Sequence, residues 1–406
     1  MAIKKIKVSN FKTFKDLDLE LGSFNVLIGA NASGKSNFVE MFQFLKDIRK
    51  DGLKNAVAMH GTMSSIFNLK CSAEDLLRIC VEKDGEGDNG VVSPPSFSVM
   101  RSEYDMSIQS DAERKIHRIS KEKLSYQFKD SVQRQYNVIA YRDVEDKQKL
   151  KYEVKPPEKE KEKSLLRSVS QMFTPDKEWK LEPDDILVNS PYLYPSEWKA
   201  LFSRISCYNI EPRRAKGPTS TAGKAELEED GNNLAIILNN IIEDEDERRK
   251  LFNLVQYILP FVKGVGTEKL AKSLMITLKE DYYADKDLRA DLLSDGTVNI
   301  TTLIVALYFE EKEVVIIEEP ERNIHPRLIS KVVEMMKDAS AKKQIIVTTH
   351  SPEVVKHAGL DNLLLISRDN NGFSHISRPG EKKEVKVFLE NELGLDELYV
   401  QDLLAV

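Results

Sequence analysis

Gly29-Ala30-Asn31-Ala32-Ser33-Gly34-Lys35-Ser36 matches in full the phosphate-loop pattern G-x-x-x-x-G-K-S. The apolar run Phe24–Ile28 precedes it and predicts a buried strand, and apolar residues at helical spacing follow it. In a glycine-rich turn between a strand and a helix, successive backbone N–H groups point at bound phosphates. The motif and its context therefore predict a nucleoside triphosphate site. The alternative, a turn that binds nothing, is disfavoured by the complete motif.

The side chains of this loop have separate predicted roles. Lys35 is expected to place its ammonium on the β- and γ-phosphates, and Ser36 to offer its hydroxyl to Mg²⁺. ATP and Mg²⁺ are therefore the expected cofactors. The predicted nucleotide-binding residues of the loop are Gly29, Asn31, Ala32, Ser33, Gly34, Lys35, Ser36 and Asn37.

A second apolar strand, Val314–Ile317, ends in two adjacent acids, Glu318 and Glu319. Neighbouring side chains on a strand point to opposite sides, so the two carboxylates are predicted to do different work. We assign Glu318 to the metal, directly or through water, and Glu319 to the general base that polarises the attacking water. A strand end with two solvated acids is the alternative.

Two further motifs follow the same strand-and-helix pattern. Ser294, with Asp295 and Gly296 after it, opens a predicted helix and suits an N-cap. The apolar strand Gln344–Thr348 leads to His350, which the carboxyl end of a parallel strand would place beside the phosphates. We assign His350 to sensing the γ-phosphate and to hydrogen bonding the attacking water, and a merely packed or exposed histidine is the alternative.

Composition restricts the class of protein. A chain of 406 residues suggests one large domain with an insertion, or two lobes. The formal net charge of −6 gives no whole-chain signature of nucleic-acid binding. Three distant cysteines fit a reducing cytoplasm. No apolar run is long enough to cross a bilayer and no signal peptide is recognised, so we expect a cytoplasmic protein with no membrane association.

The order of patterns predicts the fold class. Alternating apolar residues near the start predict paired strands, and the last third alternates strands with helices, which predicts a mostly parallel sheet. We therefore expect an α/β fold in which a mixed sheet is built from both chain ends and a mainly helical lobe is inserted. The predicted ranges are 1–154 for the N-terminal part of the ATPase lobe, 155–285 for the helical lobe, 286–380 for the C-terminal part, and 381–406 for a C-terminal helix.

Two small basic clusters are candidates for contact with DNA. A solvated face is the alternative for each cluster, and it is the commoner role of such charges. The first cluster is Arg213, Arg214 and Lys216, and the second is Arg114, Lys115, Arg118, Lys121 and Lys123.

With these motifs in this order, the chain resembles the RecF/SMC-like branch of ABC-type ATPases. Within that branch it is similar to the stand-alone predicted AAA ATPases related to the ATPase domain of OLD (overcoming lysogenization defect) nucleases. Aspartate is usual in the family where Glu318 stands, and no glutamine of a Q-loop is identified. The resemblance is carried by Ile6–Phe14, the phosphate loop, Asp230–Leu234, Leu293–Thr297, Glu318–Glu321 with His325-Pro326, and Thr348–Pro352.

The resemblance implies further roles for named residues. Ser294, Asp295 and Gly296 match the ABC signature, whose serine, backbone amides and helix dipole contact the γ-phosphate held by the other subunit. Lys12 matches a basic residue near the nucleotide phosphates, and a solvated strand lysine is its alternative. An ATP-dependent homodimer, or a higher oligomer, is therefore expected.

OLD nucleases continue past the switch histidine into a metal-dependent TOPRIM nuclease domain. The sequence after His350 leaves no room for that domain, so we expect the ATPase half alone. By analogy the ATPase would act in DNA repair or in defence against phages and plasmids, with DNA or an effector nuclease encoded nearby as a partner. A nucleotide-gated scaffold with little hydrolysis is the alternative. The soluble subunit of an ABC transporter fits the insert and the signature less well.

Overall fold

The computed structural model describes residues 2–70, 75–85, 98–111, 116–129, 135–143, 149–155, 181–182, 184–190, 197–283, 286–390 and 393–405. The chain divides into two compact units. The first unit consists of Met1–Gly22, Ser36–Ile205 and Ser367–Ile376. The second unit consists of Ser23–Lys35, Ser206–Ile366 and Ser377–Val406.

Strands and helices both occur throughout the described residues. The strands are β1 (Lys5–Phe11), β2 (Phe14–Glu20), β3 (Phe24–Ile28), β4 (Leu77–Asp84), β5 (Ser98–Asp111), β6 (Ile116–Lys129), β7 (Gln135–Asp143), β8 (Lys149–Lys155), β9 (Ile205–Tyr208), β10 (Thr219–Ser220), β11 (Val262–Leu270), β12 (Ser273–Glu280), β13 (Asp287–Arg289), β14 (Val314–Glu318), β15 (Gln344–Thr349), β16 (Leu363–Arg368) and β17 (Ser374–Ser377). The helices are α1 (Lys35–Met59), α2 (Met63–Ile66), α3 (Glu197–Ser203), α4 (Pro212–Ala215), α5 (Leu234–Glu243), α6 (Glu245–Ile258), α7 (Asp295–Tyr308), α8 (Pro326–Ala339), α9 (Pro352–Ala358), α10 (Lys383–Glu390) and α11 (Leu395–Val400).

An antiparallel sheet forms the framework of the first unit. Its strand order is β2-β1-β4-β5-β6-β7-β8, so after β1 the strands follow one another as a meander. Alternate residues of β4, such as Leu77, Ile79 and Val81, are buried and apolar, while Arg78 on the opposite side bonds to Asp105 of β5. This alternation arises because successive side chains of a strand point to opposite faces.

Gly52 bends helix α1 within the first unit. Its φ of 79° lies in the left-handed region, which glycine adopts without the steric penalty of a Cβ atom. The N–H of Leu53 donates to the carbonyl of Asp184 at 2.8 Å just after the bend. A Cβ on residue 52 would lie 3.1 Å from the same carbonyl oxygen, so the close approach also favours glycine.

A parallel run of strands forms the centre of the second unit. Strand β3 lies between β16 and β15, β15 pairs with β14, and β9 lies beyond β14. The register aligns Val26 with Val347, and Val347 with Ile317. These strands are buried along their length because parallel sheets are covered on both faces. The predicted α/β fold, with a sheet assembled from both ends of the chain, is confirmed.

The range predicted to form a helical lobe, 155–285, contains more than helices. Residues 156–180 lie outside the described residues. The rest of the range includes α3 to α6, but it also includes β9 and the small antiparallel sheet of order β10-β12-β11, whose β12 pairs with β13. The lobe and its boundaries therefore stay a prediction. Among the described residues, no helix combines the length and the apolar character that a bilayer span requires.

Candidate functional site

The phosphate loop connects β3 to α1 and adopts a backbone that needs small residues. Ala32 and Gly34 have φ values of 61° and 116°, in the left-handed region. A Cβ atom on Gly29 would lie 2.3 Å from the carbonyl oxygen of Ile366 in β16, so a larger residue would require the loop to move. Asn31 and Ala32 are exposed, and Ser33 and Gly34 are buried.

Lys35 folds back over its own loop. Its Nζ donates to the carbonyl of Gly29 at 2.7 Å and to that of Ala30 at 3.0 Å. Burial lowers the pKa of Lys35, and the negative charges of Glu319 and Glu321 partly oppose this shift. The predicted phosphate-binding cation and two carboxylates after β14 therefore lie close enough to interact electrostatically.

Glu319 is held on both carboxylate oxygens. Its Oε1 lies 3.0 Å from Nδ1 of His350, and its Oε2 accepts from Nη2 of Arg322 at 3.0 Å. Burial raises the pKa of Glu319, but the hydrogen bond from Arg322 and the charge of His350 outweigh burial, so this pKa lies below its usual range. Two residues assigned from the sequence, Glu319 and His350, are thus in direct contact.

The backbone of Glu319 is also constrained. Its φ is 46°, which costs a residue with a Cβ atom on the order of 1 kcal/mol or more and persists only where the surroundings enforce it. The N–H of Glu319 donates to the carbonyl of Thr348 at 2.8 Å, and its carbonyl accepts from the N–H of Arg322 at 3.0 Å. Both bonds hold the chain turn that carries the predicted base.

A third acid, Glu321, lies in the same place and was given no role by the sequence analysis. The hydroxyl of Thr349 donates to its Oε1 at 2.5 Å, and that hydroxyl oxygen also accepts from the N–H of Ser351. Burial raises the pKa of Glu321, which the hydrogen bond from Thr349 partly offsets. The sequence could have indicated Glu321 through its position in the motif Glu318-Glu319-Pro320-Glu321, three residues after the predicted metal ligand.

The residues predicted to hold the metal, Ser36 and Glu318, offer oxygen atoms, as does Glu321. Glu318 ends β14 in register with Thr348, and Ser36 is exposed in the first turn of α1. The Oε2 atom of Glu321 is buried and has no hydrogen-bond partner among the described residues. Hydroxyl and carboxylate oxygens are the ligands that Mg²⁺ prefers, so the residues present fit this ion.

The predicted signature residues begin helix α7 in the second unit. Ser294 is the N-cap, and its Oγ accepts from the N–H of Thr297 at 3.0 Å. Asp295 forms an ion pair with Lys216. A Cβ atom on Gly296 would lie 2.5 Å from the carbonyl oxygen of Asn323, so glycine lets the helix start approach the segment after β14.

Lys12 and Asn37 have partners within the first unit. Lys12 has a φ of 47° and forms an ion pair with Glu40 of α1. Burial lowers the pKa of Lys12. The side-chain amide of Asn37 donates to the hydroxyl of Thr13 at 2.8 Å. The assignment of both residues to nucleotide binding stays a prediction.

Some of the described residues of the two basic clusters form ion pairs with carboxylates. Arg214 pairs with Glu211 and Asp230 at 2.9 and 3.0 Å. Lys123 pairs with Glu103 at 3.0 Å. Arg114 and Lys115 lie outside the described residues. Contact between these clusters and DNA therefore stays a prediction.

Curated relatives match a short part of the chain. The Septu protein PtuA of Bacillus thuringiensis is 29% identical over 89 residues, which cover 20% of this chain and 22% of that protein. An uncharacterised protein of Methanocaldococcus jannaschii is 26% identical over 94 residues, which cover 23% of this chain and 24% of that protein. The matched stretches thus span less than a quarter of the length of either relative.

A solved structure and a family model each match most of the chain. A solved SMC head bound to the C-winged helix domain of ScpA has a TM-score of 0.49 and 14% sequence identity, covering 92% of this chain and 96% of that chain. The family model described as AAA ATPase domain matches residues 1–355. This match includes the phosphate loop, the acids after β14 and His350. Since it extends over most of the 406 residues, the chain belongs to the AAA ATPase domain family and is a P-loop ATPase.

Proposed function

We propose that this protein is an ATP-dependent dimerising ATPase that hydrolyses ATP to ADP and phosphate at a site built on Lys35, Glu319 and His350. The observation that carries the proposal is the contact of 3.0 Å between Nδ1 of His350 and Oε1 of Glu319, in the electrostatic field of Lys35. A carboxylate that remains ionised beside an imidazole can accept the proton of an attacking water. The lowered pKa of Glu319 keeps it in the accepting form at neutral pH.

The loop residues supply binding and charge. When triphosphate binds, Lys35 exchanges the carbonyls of Gly29 and Ala30 for the β- and γ-phosphate oxygens, which are stronger acceptors because they are charged. The backbone N–H groups of the loop and the first turn of α1 bind the same anion. Catalysis is then mostly positioning and electrostatic stabilisation, as expected for phosphoryl transfer.

Ser36 and Glu318 are the residues that would hold Mg²⁺. When bound, this ion supplies neutralising charge to the β- and γ-phosphate oxygens. Glu318 replaces the aspartate usual at this position, and its longer side chain is compatible with contact through a water molecule. The buried Oε2 of Glu321 would accept a hydrogen bond from such a water.

A second copy of the chain would complete the site through its α7. The Oγ of Ser294 accepts the N–H of Thr297 and lies 2.8 Å from Oγ1 of Thr297. When Thr297 is the donor of that second bond, Ser294 keeps its own proton, so capping its helix and binding a partner's γ-phosphate are compatible. The positive end of the α7 dipole favours an anion at the same place. This role of Ser294, Asp295 and Gly296 rests on the resemblance of the motif to the ABC signature.

The partial similarity to a Septu protein supports a role in defence, and we propose that role ahead of DNA repair. The ATP cycle would then control an effector nuclease acting in trans. Duplex DNA is the other candidate partner.

Steady-state ATP hydrolysis by the purified protein, with and without linear duplex DNA, tests this function. Turnover by the wild type that is lost in Lys35→Ala supports it, and stimulation by DNA would place the protein on nucleic acid. Turnover indifferent to DNA would indicate a protein partner. Absence of turnover in both proteins contradicts the proposal.

The second candidate function, a nucleotide-gated scaffold, predicts a different outcome with Glu319→Gln. For an ATPase, this variant should bind ATP, lose hydrolysis and accumulate as the ATP-bound dimer, which light scattering detects by mass. A scaffold would show the ATP-dependent dimer already in the wild type, together with negligible turnover. Each carboxylate oxygen of Glu319 has a partner, His350 at Oε1 and Arg322 at Oε2. This favours the ATPase, since a scaffold does not need a general base held on both oxygens.

A further inference from the structure

Arg322 is linked to the predicted general base by its side chain and its backbone. Its Nη2 donates to Oε2 of Glu319 at 3.0 Å, and its N–H donates to the carbonyl of Glu319, also at 3.0 Å. The side chains of Arg322 and Glu319 are 39% and 30% exposed, so the pair is neither fully solvated nor deeply buried. Two bonds between the same residues fix both the carboxylate and the turn that carries it.

The far side of the guanidinium is held by another element. Nη1 of Arg322 donates to Oδ1 of Asn209 at 3.1 Å, just after β9. The N–H of Asn209 in turn donates to the carbonyl of Glu229 at 2.9 Å. A planar guanidinium with two partners on different nitrogens loses the rotational freedom of an ordinary surface arginine.

The main chain of Arg322 is also anchored to the predicted signature helix. The side-chain amide of Asn299, which is buried in α7, donates to the carbonyl of Arg322 at 2.6 Å and to that of Pro320 at 3.2 Å. Arg322 is therefore held by its side chain from the β9 side and by its backbone from α7. An arginine anchored in this way can define the orientation of the group it binds.

We propose that Arg322 is a positioning residue that fixes the carboxylate of Glu319, so that Oε1, the oxygen shared with His350, faces the attacking water. Without the guanidinium, the carboxylate can rotate about its terminal torsion, which is broad for glutamate. Misplacement of a reacting group by about 1 Å can reduce a rate about 100-fold. The role of Arg322 rests on the proposed function, because only a hydrolytic site uses a general base.

The test compares kcat and KM of Arg322→Ala, Arg322→Lys and Asn209→Ala with those of the wild type. Arg322→Ala should lower kcat about 10- to 100-fold while KM for ATP changes less than about threefold, because Glu319 acts in the chemical step and Lys35 in binding. Arg322→Lys should recover part of kcat, since one ammonium cannot bridge both Glu319 and Asn209. Asn209→Ala should lower kcat by a smaller factor.

The double variant Arg322→Ala/Asn209→Ala separates positioning from a general structural effect. Once the guanidinium is gone, Asn209 has nothing left to hold, so the double variant should be no slower than Arg322→Ala alone. Arg249→Ala is the matched control, because Arg249 forms an ion pair with Asp246 at the same i,i+3 spacing on α6. This control should leave kcat, KM and Tm close to the wild-type values.

Three results would overturn the role of Arg322. They are an unchanged or increased kcat in Arg322→Ala, additive effects of the two substitutions, and a loss of kcat accompanied by a raised KM and a lowered Tm. If the wild type turns over ATP and Lys35→Ala does not, any of these results rejects Arg322 alone. If the wild type has no turnover, the proposed function fails as well.

Discussion

Lys343 shows how burial alters the chemistry of a single residue away from the candidate site. Its Nζ donates to the backbone carbonyl of Glu310 at 2.7 Å, and burial lowers its pKa to about 8. The ordinary value is 10.5, so between about pH 8 and 10.5 the unfolded chain binds a proton that the folded chain releases. Lys343 therefore lowers the free energy of unfolding below about pH 8. This destabilisation disappears as the pH rises.

We expect the free energy of unfolding of Lys343→Met to depend less on pH than that of the wild type between pH 8 and 10. The lysine should contribute a rise on the order of 1–3 kcal/mol across its full titration window, and methionine removes the titrating group while keeping the aliphatic stem. Urea unfolding at several pH values measures the slope. Equal slopes in the two proteins would contradict the pKa shift.

The sequence allowed roles to be assigned to single residues of the site, but it did not indicate their contacts. Lys35, Glu319 and His350 were assigned roles because each follows an apolar strand in a motif of fixed spacing. Arg322 and Glu321 were assigned no role from the sequence, since their partners Asn209 and Thr349 are distant in sequence. Hydrogen bonds between distant side chains leave no periodic signal in the chain.

Helix caps provide a test at the scale of secondary structure. Ser294 caps α7 by accepting one backbone N–H of its first turn, and Asp244 caps α6 by accepting two. Replacing such a cap by alanine costs about 1 kcal/mol. We therefore expect Ser294→Ala and Asp244→Ala to lower the free energy of unfolding by similar amounts.

Only the cap at the predicted signature should also affect turnover. Ser294→Ala removes a hydroxyl proposed to contact the partner's nucleotide, whereas Asp244→Ala leaves that contact in place. Chemical denaturation and steady-state hydrolysis, measured on both variants, separate the two effects. Equal loss of turnover in both would indicate that Ser294 acts only as a cap.

Elements with a strong apolar pattern were predicted best. Strands β14 and β15 lie where their apolar runs indicated. Strand β11 was missed because Gly264, Gly266 and exposed polar residues weaken its alternation. The segment 381–406, predicted as a C-terminal helix, contains the two helices α10 and α11 among its described residues.

A buried ion pair contributes to the stability of the whole first unit. Arg142 and Glu122 are fully buried and bonded at 3.0 Å. Glu122 also accepts from the hydroxyl of Tyr104 and the N–H of Leu187, and Arg142 donates to the carbonyls of Glu182 and Asp185. The pair thus ties strands β6 and β7 to the backbone of Glu182, Asp185 and Leu187.

Arg142→Met should lower the free energy of unfolding by about 3–5 kcal/mol, because it leaves the Glu122 carboxylate buried without its counter-charge. Adding Glu122→Leu should recover part of this loss, since the double variant buries no charge. Urea unfolding of the wild type and of both variants measures the difference. A double variant less stable than Arg142→Met would contradict this account.

Strand β3 pairs with β15, so Phe24 is aligned with Ile345. At ordinary rates of translation, a ribosome adds Ile345 roughly 15–65 s after it adds Phe24. The nascent chain therefore carries its phosphate loop for this interval before the strand that flanks the loop, and the histidine beyond that strand, are made. A chain that has not yet reached His350 therefore lacks the contact between Glu319 and His350 that is proposed for catalysis.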